Sequence, residues 1–187
     1  MKDKLTVLNN DLDFHIQKLL SSDKESAFTL CQKASDYFII TGGQPPTMDT
    51  VEGIFTDLPP GKDADSKYTF GLFNQNELIG LVDLIEDYPQ EGTWWLGLMI
   101  MDPLYRGNGA GKKFHDLMLE AILENNSNTD SCRRYEVKSI QLGVLDKNRR
   151  VLGFWEKLGY SIVRTVKSDS EEIDIMELTN RNICLAE

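Results

Sequence analysis

No apolar run in this chain approaches the ~20 residues that a membrane-spanning helix needs. Cysteine is scarce: Cys31, Cys132 and Cys184 are all there are in 187 residues. An odd, scattered set fits neither a disulfide framework nor a zinc pattern, so reduced thiols are expected. His15 and His115 are the only histidines. No metal-ligand spacing surrounds either, so both read as structural and no metal is expected. Positive charge is the minority, with 20 Lys and Arg against 30 Asp and Glu and a net charge of −10. That argues against nucleic acid as a main ligand, which needs a basic face. It favours a cationic partner, steered in over long range. The start, Met1-Lys2-Asp3-Lys4, leads into no apolar signal-peptide core. A cytoplasmic protein with no membrane partner is the expectation.

What is present suits one globular domain over residues 1–187, with 41% apolar residues. The basic residues form two groups, Arg106 with Lys112 and Lys113, and Lys147 with Arg149 and Arg150. A polyanion bound between them would fit an otherwise acidic surface. Residues 12–20 alternate like a strand, and Ser22-Asp23-Lys24-Glu25 fits a capping box for a helix to about Phe38. Thr47 can cap a short helix through Phe55. Residues 67–73 and 78–86 read as a hairpin around a four-residue loop, Asn74 to Glu77. Residues 93–101 are a strand apolar enough to be buried on both faces. Phe114, Leu117, Met118, Ala121 and Ile122 make one apolar helix face, and residues 125–134 are polar and loop-like. A strand at 137–145 is followed by a helix that Asn148 can cap and Gly159 can stop. Strands at 160–166 and 173–178 close the order. The fold class is α/β (mixed α+β), a mixed sheet with helices on its faces.

The most informative run is Arg106-Gly107-Asn108-Gly109-Ala110-Gly111-Lys112-Lys113, between a strand pattern and a helix pattern. Three glycines in five residues let backbone N–H groups close on a ligand. The next helix adds free N–H groups and a positive dipole end, which is how a pyrophosphate is held. Two lysines in a first helical turn oppose the dipole and make better sense beside an anion. Spacing excludes two common phosphate loops. In a G-x-G-x-x-G motif the third glycine would fall on Lys112 or Phe114. For a P-loop, only Asn108, Gly109 and Ala110 separate Gly107 from Gly111, and Lys113 stands where a Ser or Thr is needed.

The pattern Arg106-x-x-Gly109-x-Gly111, after Met101-Asp102-Pro103-Leu104-Tyr105, resembles the acyl-CoA loop of the GNAT superfamily of acyl-CoA-dependent N-acetyltransferases. A second block, Asn148 and then Phe154-Trp155-Glu156-Lys157-Leu158-Gly159-Tyr160, is similar to that family's later segment. The resemblance implies a mostly antiparallel sheet of about six or seven strands, splayed between the fourth and fifth, with about four helices. It implies acetyl-CoA as co-substrate, direct attack by a primary amine of a cationic small molecule or peptide, and a possible homodimer. Pantetheine would pair with the backbone of Leu98, Met99, Ile100 and Met101. The pyrophosphate would meet N–H groups of Arg106, Gly107, Asn108, Gly109, Ala110, Gly111 and Lys112. Asn148 would reach pantetheine or the acyl group, and an N–H near Ile100 would polarise the thioester.

Two tasks depart from the family pattern. The tyrosine that often serves the leaving thiolate is replaced by Trp155, whose indole donates a hydrogen bond but no useful proton. Trp155 would then orient or shield the thioester, or simply pack; Tyr88 and Tyr105 are alternative phenols. The strand at 93–101 carries no ionisable residue, which leaves Asp83, Glu86 and Asp87 as candidate bases, or proton removal through water. Those departures keep a second expectation open, a non-catalytic acyl-CoA-binding sensor or regulatory module. Trp94-Trp95 and the loop Gly42-Gly43-Gln44-Pro45-Pro46 could line an acceptor site or serve structure alone.

Overall fold

The computed structural model describes residues 14–128, 137–167 and 171–179. Cys132 and Cys184 lie outside them. The chain begins with β1 (Phe14–Lys18), then α1 (Lys24–Lys33), α2 (Ser35–Gly42) and α3 (Met48–Thr56). The hairpin β2 (Lys67–Asn74) and β3 (Glu77–Ile85) leads to β4 (Thr93–Met101) and α4 (Ala110–Asn128). β5 (Ser139–Leu145), α5 (Leu152–Lys157), β6 (Ser161–Lys167) and β7 (Glu172–Thr179) complete it. One seven-stranded sheet has the order β1-β2-β3-β4-β5-β7-β6. Every neighbouring pair is antiparallel except β4 and β5.

Two cores cover the two faces. On one face α4 presents Phe114, Met118 and Ile122, all within 1% of complete burial, and α5 adds Trp155. Each such side chain contributes roughly 1.5–3 kcal/mol on leaving water. On the other face α1, α2 and α3 pack Ala27, Leu30, Phe38, Val51 and Ile54 against Leu81, Leu98 and Ile100.

The structure corrects several expectations. The first helix is broken at Ala34 into α1 and α2. Alanine favours helix, so local sequence hides the break; partners outside the helix fix it. Lys33 pairs with Asp102 and Glu77, while Asp36 is held by two arginines. The β2–β3 turn has two residues, with Gln75 at φ 55°. α4 runs on to Asn128 across residues that read as loop, because adding residues to a formed helix costs little. β4 is not wholly buried, since Gly97 is exposed. Asn148 caps nothing: it sits at φ −120° inside a 3-10 segment (Asp146–Val151) ahead of α5. Thr47 does cap α3, accepting from the Thr50 N–H at 3.2 Å. Gly159 takes the left-handed conformation at φ 92°.

Candidate active site

The strand carrying the candidate residues parts from its neighbour halfway along. β4 pairs with β5 only from Thr93↔Ser139 to Leu96↔Leu142. Beyond that, β4 stays on β3 as far as Met101, and β5 stays on β7 as far as Leu145. Each strand keeps its outer partner and loses the inner one, so a wedge opens in the sheet. Gly97 and Gly143 are the first residues past the last pair, and both are exposed. Gly97 is also an extra residue in the β3–β4 ladder, where pairing slips from Leu84↔Leu96 to Asp83↔Leu98. Such a bulge leaves local backbone groups outside the ladder and bends the strand. The expected splay between the fourth and fifth strands is therefore present, and it begins at two glycines.

Above Gly97 lies the Asp83 carboxylate. A Cβ on Gly97 would stand 3.0 Å from Asp83 Oδ2. The other oxygen, Oδ1, accepts from Lys67 Nζ at 2.8 Å, and the same ammonium donates to the Asp57 carbonyl at 2.8 Å. Burial pushes the Asp83 carboxyl up to about 6 against the downward pull of Lys67. Glu86 is placed differently. It accepts from the Tyr68 hydroxyl at 3.1 Å, and Tyr68 packs on the α4 face, opposite Asp83. Asp87, at φ 55°, accepts from the Gly92 N–H and closes the β3–β4 loop. Of the three carboxylates, only Asp83 lies at the opening.

At the end of β4, buried Asp102 accepts from the Leu104 N–H at 2.9 Å and caps a 3-10 turn, Pro103–Tyr105. Lys33 Nζ lies 2.9 Å from its second oxygen, an ion pair outside hydrogen-bond alignment. The glycine run follows. Gly107 and Gly109 have φ of 82° and 89°, a region that glycine occupies without strain. Gly111 is small for another reason: a Cβ there would meet Phe154 at 3.3 Å and the Met101 sulfur at 3.5 Å. Two backbone donors of the run are already used. Arg106 N–H donates to the Pro103 carbonyl, and Ala110 N–H to Asn108 Oδ1. That narrows the free set to Gly107, Asn108, Gly109, Gly111 and Lys112, clustered at the α4 N-terminus. The Lys112 side chain pairs with Asp116 on its own helix, so an anion is not needed to explain its place there.

The two basic groups do approach each other. Arg106 Nη1 and Nη2 grip Asp36 at 2.7 and 3.0 Å, and Arg150 Nη2 reaches the same carboxylate at 3.1 Å. Arg106 Nε also donates to the Met101 carbonyl. Hydrogen bonding from Arg106, above all, holds the Asp36 carboxyl below its ordinary range. α2 thus ties the loop after β4 to the turn after β5. Asn148 is buried in that turn, with Oδ1 accepting from Arg150 Nε at 3.2 Å.

Trp155 is 7% exposed, in an aromatic cluster with Phe154, His115 and Tyr160. The Tyr160 hydroxyl meets His115 Nε2 at 3.1 Å. Burial lowers the His115 pKa to about 4 and raises that of Tyr160. Tyr105 accepts from Asn74 Nδ2, and Tyr88 packs edge-on against Trp95. Trp94 is buried on the α4 face and Trp95 is half-buried. His15 stacks on Phe73. Sequence reasoning missed Gly97, Gly143 and Lys67. The glycines were visible only as glycines in two strands, a weak sign of bulge or close approach.

No helix of the described residues is long and apolar enough to cross a membrane, and they hold no cluster of three potential metal ligands. The model of the acetyltransferase (GNAT) family matches residues 30–160. The spermine/spermidine N(1)-acetyltransferase of Bacillus subtilis is 23% identical over 133 residues, 68% of this chain and 82% of that protein. Among solved structures, the aminoglycoside acetyltransferase AAC(6')-Ib in complex with coenzyme A aligns with TM-score 0.69 and 16% identity, over 93% of this chain and 99% of that one. Spermidine N-acetyltransferase from Vibrio cholerae, in complex with CoA and spermine, aligns with TM-score 0.65 and 16% identity, over 93% and 99%. With both sequence blocks, the split sheet and the glycine loop in place, the chain belongs to the acetyltransferase (GNAT) family and is an enzyme of that class.

Proposed function

We propose that this protein moves the acetyl group of acetyl-CoA to a primary amine of a cationic small molecule or peptide, by direct attack in a ternary complex. The observation that carries this reading is the free oxygen of Asp83 over Gly97, where β4 and β5 part. Pyrophosphate is held by the free N–H groups of Gly107, Asn108, Gly109, Gly111 and Lys112, aided by the helix dipole. Pantetheine enters the wedge and pairs with the unpartnered edge of β4 along Leu98, Met99 and Ile100. Met101 closes that end, its carbonyl committed to Arg106. An N–H at or near Ile100 polarises the thioester carbonyl. Asn148 walls the wedge from the β5 side, and Trp155 shields it from the α4 face.

An alkylammonium has a pKa of about 10.4, so it must lose a proton before attack. Asp83 takes that proton. With a carboxyl pushed up to about 6, it is ionised at neutral pH and a stronger base than an ordinary aspartate. Nitrogen then bonds to the acetyl carbon, the carbon–sulfur bond breaks, and the second proton on nitrogen passes through water to the departing thiolate, leaving the amide and free CoA. Relatives named for spermine, spermidine and aminoglycosides act on polycations, which suits a chain of net charge −10.

The test is calorimetric titration with acetyl-CoA, followed by thiol release with spermidine, spermine, kanamycin and a tripeptide. Saturable binding that is lost in Gly109→Glu, with release well above background on a polycation, is the expected result. Tight binding with background release on every amine would replace this reading with the acyl-CoA sensor.

A further inference from the structure

Lys67 is the most deeply buried ammonium among the described ion pairs, with a side chain 5% exposed. A lysine in that position costs several kcal/mol of desolvation unless it is fully paired. An apolar residue at the start of β2 would avoid the cost, so the pairing itself needs a reason. The geometry supplies one. Nζ is bonded on one side to the Asp57 carbonyl and on the other to Asp83 Oδ1, both at 2.8 Å. Anchored this way, the carboxylate cannot rotate freely, and Oδ2 stays 3.0 Å from where a Gly97 Cβ would be.

We propose that Lys67 is a positioning residue for acetyl transfer: it clamps one oxygen of Asp83 against the end of α3 and leaves the other aimed into the β4–β5 wedge. This rests on the reading of Asp83 as the base. Lys67 never meets substrate; it acts through Asp83. The clamp also sets the electrostatics of the base. Lys67 on β2 favours the carboxylate, the Asp57 side chain after α3 disfavours it, and β4 contributes no titratable group. Two neighbours of opposite sign thus hold the carboxyl between an ordinary aspartate and a permanently neutral one. Removing either should move it in a known direction. The Asp57 carboxylate lies over Gly53, 2.5 Å from where a Cβ would be, so Asp57→Asn keeps the shape and removes the charge.

The experiment follows the Asp83 carboxyl directly by ¹³C NMR titration in the free protein, assigned by its loss in Asp83→Asn. It is paired with the pH profile of kcat/KM for acetyl transfer to spermidine. In Lys67→Met the midpoint is expected to rise by about one unit or more. In Lys67→Arg it should return towards wild type, and in Asp57→Asn it should fall. The acidic limb of the rate profile should move with it each time. A carboxyl midpoint unmoved in Lys67→Met overturns the proposal; if that variant does not fold, an unmoved midpoint in Lys67→Gln overturns it equally. Midpoints that move while the rate limb stays still would remove Asp83 as the base, and with it a positioning role for Lys67.

Discussion

The glycine run before α4 and the glycine pair at the β4–β5 split both shape the proposed ligand site, by opposite means. In the run, Gly107 and Gly109 adopt positive φ and nothing lies within 4 Å of where a side chain would be. Their value is conformational: they let the backbone take a left-handed turn that other residues resist. At the split, Gly97 is crowded, with Asp83 Oδ2 at 3.0 Å from its Cβ position. Its value is space, because it lets a carboxylate stand over an open strand edge. On the proposed function the first would bind acetyl-CoA and the second would carry the base, so their variants should fail differently.

Short of removing the carboxylate itself, the largest effect on rate should come from Gly97→Ala. The added methyl must push the Asp83 carboxylate by a few tenths of an ångström; since a misplacement of about 1 Å costs about 10²-fold, a shift of that size costs about tenfold in rate. Single-turnover transfer should fall by roughly that factor, while acetyl-CoA affinity stays within about threefold of wild type. Gly109→Ala strains the loop by about 1–3 kcal/mol. It should weaken acetyl-CoA binding about tenfold or more by calorimetry, with the rate at saturation close to wild type. If both variants lost rate and affinity together, the division between the two sites would be wrong.

A third prediction concerns the α4 face, where His115 is buried. Its pKa is lowered to about 4 from 6.5 by burial. A histidine with a depressed folded-state pKa is protonated first in the unfolded chain. Stability is therefore full above pH 6.5 and lost as pH falls towards 4, by up to about 3 kcal/mol. Thermal melts should show that loss, and it should shrink in His115→Phe. Transfer at pH 8 should persist in that variant, since His115 is assigned to the core. The smallest effect is expected at Asp36. Its pairs with Arg106 and Arg150 are half exposed and worth about 1 kcal/mol or less each. Asp36→Asn should change melting by a few degrees at most, and should free both arginines for an anionic ligand. Acetyl-CoA binding should then tighten slightly at low salt and be unchanged at high salt.

The comparison also explains what was legible in the sequence. The glycine run is a local signal: spacing, flanking strand and following helix sit in one stretch, and Phe114, Met118 and Ile122 mark the helix by periodicity. The family, its mostly antiparallel sheet and the splay between the fourth and fifth strands followed from the resemblance carried by that run and the block ending at Tyr160. The split is not local. Gly97 matters because β3 slips by one residue at Asp83 and because β5 places Gly143 beside it. Such register emerges only when three strands meet. Asp83 could be named as one of three carboxylates, but choosing it over Glu86 needed the face each occupies. Lys67 was invisible, since nothing in a lysine at a strand start says that it will be buried. The break at Ala34 escaped for the same reason, its causes lying on the loop after β4 and the turn after β5.

The most direct test of the account is single-turnover transfer from acetyl-CoA to spermidine by Asp83→Asn at pH 7.5, with acetyl-CoA affinity measured in parallel. The account predicts a rate lower by about 10²-fold or more and an affinity within about threefold of wild type. A rate within threefold of wild type would contradict it and leave the split sheet as a binding site whose base lies elsewhere.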